Sequence, residues 1–217
     1  MRVGVLGGTG PAGRGLSARL ADAGVEVVIG SRVASRAEDT KAKLLERWPG
    51  RTLAITAGDN AAAADADLVV VATPWDGVVP TVAALATALD GKVIVSMANA
   101  LAKVGDTLQP LVPARGSVAA TCQAALLGST VSAAFHHLPA KLLGDLDSTL
   151  EDDVLVCADD ARALAATVEL VERIPGLRAL EAGGLESAGA VEAFTAVLLQ
   201  LNRRYKAKAG IRITGIE

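Results

Sequence analysis

The sequence predicts an α/β fold: a doubly wound, mostly parallel sheet with a small C-terminal α/β extension packed on it. Three observations lead there. Short apolar runs alternate with helical patterns along the 217-residue chain. One of those runs, 67–72, is continuously apolar after Asp67, as strands covered on both faces are. The first strand is joined to the first helix by a glycine-rich turn.

Val3 to Leu6 reads as that first strand. It leads into Gly8-Thr9-Gly10-Pro11-Ala12-Gly13, then a helix with Leu16 and Leu20 on one face and a stop at Gly24. The three glycines of the turn have separate expected roles. Gly8 permits the tight turn, Gly10 lets the backbone approach a pyrophosphate, and Gly13 lets helix and strand pack closely. The phosphates would lie at the helix N-terminus, where free N–H groups and the helix dipole favour an anion. A second strand, Val25 to Ile29, completes the βαβ unit of a Rossmann-type dinucleotide site.

The end of that second strand discriminates between dinucleotides. An NAD site usually carries an acid there for the ribose 2′-hydroxyl, whereas a nearby arginine accommodates the 2′-phosphate of NADP. This chain has Gly30-Ser31-Arg32, with Arg36 one helical turn on, and its nearest acid, Glu26, stands at the wrong end of the strand. Ser31 can donate a hydroxyl, and Arg32 and Arg36 can grip a phosphate. The plainer alternative is a helix-capping serine followed by solvated arginines.

The pattern continues. Thr52 to Thr56 reads as a third strand, Asp59 caps a short Ala-rich helix, and 67–72 is the fourth strand. Thr73-Pro74-Trp75-Asp76-Gly77 reads as a turn before a helix from Val78 to Leu89, and Lys92 to Ser96 is a fifth strand. Ligands of such sheets bind beyond the carboxyl ends of the strands, so loops 7–13, 30–36, 73–77 and 97–100 should share one crevice. The stretch 97–128, with Pro110 and Pro113, reads as a loop before an Ala-rich helix at 118–127. Thr130 to Ala134 is a further strand ending in Phe135-His136-His137-Leu138-Pro139. A strand at Val154 to Cys157, a helix from Asp159 to Arg173, Leu177 to Glu181 and a helix from Glu186 to Arg204 follow. The expected division is 1–128 for the NADP-binding domain and 129–217 for a smaller C-terminal part.

Composition narrows the function. The chain is 51% hydrophobic, yet no apolar run approaches the ~20 residues of a membrane span. The N-terminal run is broken by glycines and followed by Arg14 and Arg19, unlike a secretion signal, so a cytoplasmic protein is expected. A net charge of −3 and 2% aromatic residues supply neither the basic face nor the stacking platforms of a nucleic-acid binder. Cys122 and Cys157 are isolated, and adjacent His136 and His137 would point oppositely on an extended segment; no metal site is expected.

The start MRVGVLGGTGPAGRGLSARLADAGVEVVIGSR, TPWD at 73–76, FHHLP at 135–139, CADD at 157–160, IPGLRALEAGGL at 174–185 and VEAFT at 191–195 together resemble the NADPH-dependent reductases of the 5-deazaflavin coenzyme F420. The resemblance covers nearly the whole chain. It implies a small, mostly dimeric enzyme, here a homodimer, that moves a hydride between NADP(H) and coenzyme F420. It implies that Thr9, Ser31, Arg32 and Arg36 surround the 2′-phosphate and that Pro74 and Trp75 flank the nicotinamide. His136, Leu138 and Thr195 fall where the family contacts the deazaflavin. Met97, Ala98, Thr73 and His137 complete the expected cofactor-binding set. Ala193 stands where the family carries a serine. His136 is the candidate catalytic residue, since the proton taken up on reduction comes either from solvent or from such a histidine. The coenzyme bears an anionic phosphodiester and glutamate tail, so the cations Arg203, Arg204, Lys206 and Lys208 either attract it or merely complement a helix dipole.

Other readings stay open on the residues alone. A different small NADPH reductase, acting on a flavin, a metal chelate or an imine, would share the N-terminal half. A non-catalytic NADP(H) sensor would bind the nucleotide without oxidising it. A structural protein that binds nothing fits the glycine turn poorly.

Overall fold

The computed structural model describes residues 1–216. Its first half runs β1 (Arg2–Leu6), α1 (Pro11–Asp22), β2 (Glu26–Ser31), α2 (Ala34–Arg47), β3 (Ile55–Asp59), α3 (Asn60–Ala64), β4 (Leu68–Val71), α4 (Trp75–Ala83), α5 (Ala86–Leu89) and β5 (Val93–Ser96). The second half adds β6 (Leu101–Val104), β7 (Thr107–Pro110), α6 (Val118–Ala125), β8 (Thr130–Ala133), α7 (Ala140–Leu143), β9 (Asp153–Ala158), α8 (Ala161–Glu172), β10 (Arg178–Glu181) and α9 (Leu185–Tyr205).

Eight strands form one sheet in the order β10-β9-β8-β5-β4-β1-β2-β3. The run from β3 to β8 is parallel, β9 turns antiparallel to β8 through Ser132 and Ala133, and β10 lies parallel to β9. The strand order reverses between β1 and β4, which makes the crevice beyond their carboxyl ends the expected ligand position. Alternate strand residues face opposite sides, and the core divides accordingly. Val3, Val5, Ile29, Val70 and Val95 pack with Leu16 and Leu20 of α1 and Leu170 of α8. Leu6, Val69, Val71 and Ile94 pack on the other side with Val78 of α4, Cys122 of α6 and Val191 of α9. Each of these larger side chains contributes about 1.5–3 kcal/mol by leaving water.

Four segments differ from expectation. The third strand is Ile55–Asp59, later than 52–56, because Gly58 and Asp59, which look like turn residues, pair with Gly30 and Ser31 of β2. The segment 73–77 is not a turn: Pro74 caps α4, which already includes Trp75, and the expected helix to Leu89 is two pieces, α4 and α5. Pro80 inside α4 lacks the N–H that would extend its ladder. The stretch read as loop contains a β6–β7 hairpin, with Leu101 facing Pro110 and Val104 facing Thr107. Gly105 at its turn has φ 56°, the left-handed conformation that a two-residue Gly-Asp turn demands.

Charged side chains tie the periphery down. Buried Arg19 of α1 donates to the carbonyls of Leu142, Leu143, Asp145 and Ser148, so it fastens segment 139–150 to the first helix. Arg51 joins Asp22 to Asp147 beside it. The Asp153 carboxylate is fully buried and held by Arg178 in two hydrogen bonds of 2.9 and 2.8 Å, with Ile213 N–H donating to it at 2.6 Å. Arg178 holds its pKa well below the usual carboxylate range. Glu192 of α9 is also buried and accepts from Val118 N–H and Ala119 N–H at the start of α6; burial nonetheless pushes its pKa up to about 7. Both cysteines are buried free thiols.

Candidate functional site

The glycine turn sets the geometry. Gly7, not Gly8, takes the left-handed conformation, with φ 74°, and is therefore the residue that permits the tight turn. Gly8 serves close packing instead: a Cβ there would lie 3.0 Å from both Ile29 Cγ2 and the Val5 carbonyl oxygen, while its N–H donates to the carbonyls of Val5 and Gly30. A Cβ on Gly13 would come within 2.8 Å of the Gly7 carbonyl oxygen, so α1 approaches the turn closely only because that side chain is missing. Gly10 caps α1 with an extended backbone, and Pro11 begins the helix at a position where its absent N–H costs nothing.

In front of this turn lies a cavity of about 760 Å³. Thr9 and Gly10 form one side, Ser31, Arg32 and Arg36 the far end, and Thr73 and Pro74 the opposite wall. Ser31 is buried, and its Oγ accepts from Val33 N–H at 3.2 Å, leaving its own proton to donate. Arg32 and Arg36 are exposed, and among the described residues neither forms an ion pair. Asn60 Oδ1 and Thr73 Oγ1 also belong to this wall; both are buried polar atoms without a hydrogen-bond partner among the described residues. Such atoms are costly unless a ligand satisfies them.

A second cleft of about 350 Å³ adjoins the first along Gly10, Thr73 and Pro74. It is bounded by Pro11, Ala12, Trp75, Met97 and Ala98, with Asn99 and Leu101 behind them. The structure thus gathers the sequence-predicted set, except Gly8, Gly13, His136, His137, Leu138 and Thr195, around one continuous crevice.

Those last four lie behind it and line neither cleft. All are buried. Phe135, at φ 63° and fully enclosed, holds a conformation uncommon for a bulky residue. The turn it starts is fastened by Asn99 Nδ2, which donates to the His136 carbonyl at 2.7 Å, and by Thr195 Oγ1, which donates to Asn99 Oδ1 at 3.3 Å. The His136 ring has no hydrogen-bond partner at either nitrogen among the described residues. Burial, assisted by the neighbouring His137, pulls its pKa down to about 3, so near neutrality the ring is uncharged and carries no imidazolium proton. His137 Nε2 sits 2.9 Å from the Asp153 carbonyl, which fixes the proton on Nε2.

Asn60 and Asn99 belong to no motif that singles them out in the sequence, although loop 97–100 is expected at the crevice. Both directly follow the carboxyl end of a strand of the parallel sheet or its loop, and that position was the available signal. The C-terminal cations do not form one cluster: Arg203 bonds to Asp106 of the hairpin, and Lys208 reaches Asp145. Among the described residues no helix is long and apolar enough to cross a membrane.

Comparison with known proteins agrees with this geometry. The family described as NADP oxidoreductase, coenzyme F420-dependent, matches residues 2–100. The chain is 38% identical over 223 residues to the F420-dependent NADP reductase of Methanocaldococcus jannaschii, with all of each chain covered. It is 36% identical to that of Methanothermobacter thermautotrophicus, covering all of this chain and 96% of the relative. Among solved structures, a candidate F420-dependent NADP-reductase from Arthrobacter sp. FB24 superposes with a TM-score of 0.79 at 28% identity, over 99% of both chains. Protein SMa0349 of Sinorhizobium meliloti shares the fold, with a TM-score of 0.71 at 20% identity over 89% of this chain and 90% of that one.

Proposed function

The chain belongs to the coenzyme F420-dependent NADP oxidoreductase family, and from that membership we propose that it transfers a hydride reversibly between NADPH and the 5-deazaflavin coenzyme F420. When bound, the two cofactors supply the chemistry: C4 of the nicotinamide gives the hydride and C5 of the deazaflavin accepts it. The protein's part is to bind, orient and dry them.

The observation that carries the reading is the continuity of the two clefts. Residues at one end suit a phosphorylated ribose: Ser31 with a free hydroxyl proton, and Arg32 and Arg36, which form no ion pair among the described residues. The unpartnered Asn60 Oδ1 and Thr73 Oγ1 fit a polar ligand between them. Trp75, Met97 and Ala98 offer apolar walls where two rings can stack away from water. His136, Leu138 and Thr195 support the deazaflavin side from behind, with residues 1–128 holding the dinucleotide and the C-terminal part backing the crevice rather than lining it. Buried behind the cleft and uncharged near neutrality, His136 is a packing residue in this reading, which favours solvent as the source of the proton. A homodimer is supported by Phe194, Val197, Leu201 and Tyr205, which expose an apolar stripe at helical spacing on α9. A cytoplasmic location goes with the same reading, since the enzyme must share the compartment of both soluble carriers.

The test is spectroscopic and isotopic. Deazaflavin absorbance should bleach on adding NADPH and protein, and of the two NADPH forms deuterated on opposite faces of C4 only one should pass its label to the reduced coenzyme. Oxidation of NADPH by free flavins but not by the deazaflavin would overturn the assignment.

A further inference from the structure

A third cleft, of about 250 Å³, lies against the outer side of α1 and takes no part in the dinucleotide site. Its walls carry Arg14 of α1, Arg47 at the end of α2 and Lys141 of α7, together with one acid, Asp145. The acids of this region are already occupied. Asp145 accepts from Ser148 Oγ at 2.7 Å and meets Lys208 at 3.5 Å, while Asp22 and Asp147 are both held by Arg51. Among the described residues Arg14, Arg47 and Lys141 form no ion pair, so three cations are in surplus in a chain whose net charge is −3. Gathering like charges costs stability, and an anionic ligand offsets that cost.

The walls are also fixed in place. Arg47 stacks over the Trp48 ring, 4.9 Å from its centroid. Gly15 lets α7 come close, since a Cβ there would sit 3.0 Å from the Ala140 carbonyl oxygen. Arg19 binds four carbonyls of the segment that carries Lys141 and Asp145. The cleft meets the nicotinamide-side cleft at Pro11, which lines both, and Arg14 stands one helical turn further along α1.

We propose that this cleft binds a multiply charged anion of the phosphate or carboxylate class. Two sources have that chemistry: the anionic tail of the deazaflavin coenzyme, whose ring would occupy the adjoining cleft, and a free polyanion. The first source rests on the hydride-transfer reading above; the second does not.

The experiment uses the full chain and the double variant Arg14→Gln/Lys141→Gln, both exposed positions, after checking that its thermal midpoint matches wild type. Fluorescence titration gives the affinities of intact coenzyme F420, of tail-free 8-hydroxy-5-deazariboflavin and of NADPH, and calorimetry gives that of inorganic tripolyphosphate. We expect the variant to bind the intact coenzyme about tenfold more weakly, with salt narrowing the gap, while the tail-free chromophore and NADPH change less than about twofold. If the intact coenzyme is unaffected but wild type binds tripolyphosphate and the variant does not, the site holds for a free anion. Unchanged binding of both coenzyme and tripolyphosphate overturns the proposal, as does equal weakening of the intact and tail-free forms. If wild type binds neither deazaflavin, the hydride-transfer reading fails, and the tripolyphosphate titration alone decides the site.

Discussion

Replacing Arg32 by Ala should convert the dinucleotide preference measurably. Arg32 and Arg36 stand at the end of the 760 Å³ cavity, four residues apart, with no acid of the described chain engaging either guanidinium. A hydrogen bond to a charged group contributes about 1.5–3 kcal/mol, and these exposed side chains belong at the lower end. One arginine lost should therefore weaken NADPH binding by about tenfold. Removing both should cost less than the product of the single effects, because two cations sharing one phosphate are coupled. Ser31 should partly sustain binding, as its hydroxyl proton is not used within the protein. NADH lacks the 2′-phosphate, and its affinity should change by less than about twofold. Calorimetric titration of both nucleotides into wild type, Arg32→Ala and Arg32→Ala/Arg36→Ala measures this directly. Equal losses for NADPH and NADH would refute the reasoning, since the arginines would then be supporting the pyrophosphate or the fold.

Further outcomes follow from the buried titratable groups. Burial holds Glu192 at about 7 against 4.5 unfolded, so the unfolded chain loses this proton first; stability should fall as pH rises from 4.5 to 7, by up to about 3 kcal/mol, and denaturant titrations should show that slope abolished in Glu192→Gln. Arg178→Met leaves the buried Asp153 carboxylate with only Arg212 at 3.3 Å and the Ile213 N–H, and should cost about 3 kcal/mol, with most of it recovered in Asp153→Leu/Arg178→Met; a double variant as unstable as the single one would contradict this. Because the Asp153 pKa is depressed, its stabilisation is present above the usual 3.8 and is lost as pH falls through the folded value. For His136→Ala, turnover should drop by less than the ~10²-fold typical of a lost general acid, and the kcat profile between pH 5 and 8 should keep its shape; a limb near pH 6 that vanishes in the variant would restore the histidine as proton donor.

The sequence by itself determined the α/β fold class and the cofactor class, and it pointed to the loops that share the crevice. Those depend on local signals: period-two and helical patterning, the 7–13 turn and the residues following β2. The Gly105-Asp106 hairpin carries a local signal as well, a turn type that only a few dipeptides allow, although the prolines around it make 97–128 read as loop. Only tertiary structure decided which glycine bends and which merely makes room. Gly7 and Gly8 are neighbours of identical chemistry, and the difference lies in Ile29 and Thr73, which approach from β2 and the loop after β4. The same holds for His136, whose position suggested a proton donor and whose burial among distant elements removes its charge. Asn60 and Asn99 gain their roles from the ends of strands placed side by side, and Arg14, Arg47 and Lys141 share a cleft only because α1, α2 and α7 meet. A pattern read along the chain records which face a residue occupies; burial, desolvation and charge surplus are sums over neighbours remote in sequence, and folding alone brings those neighbours together.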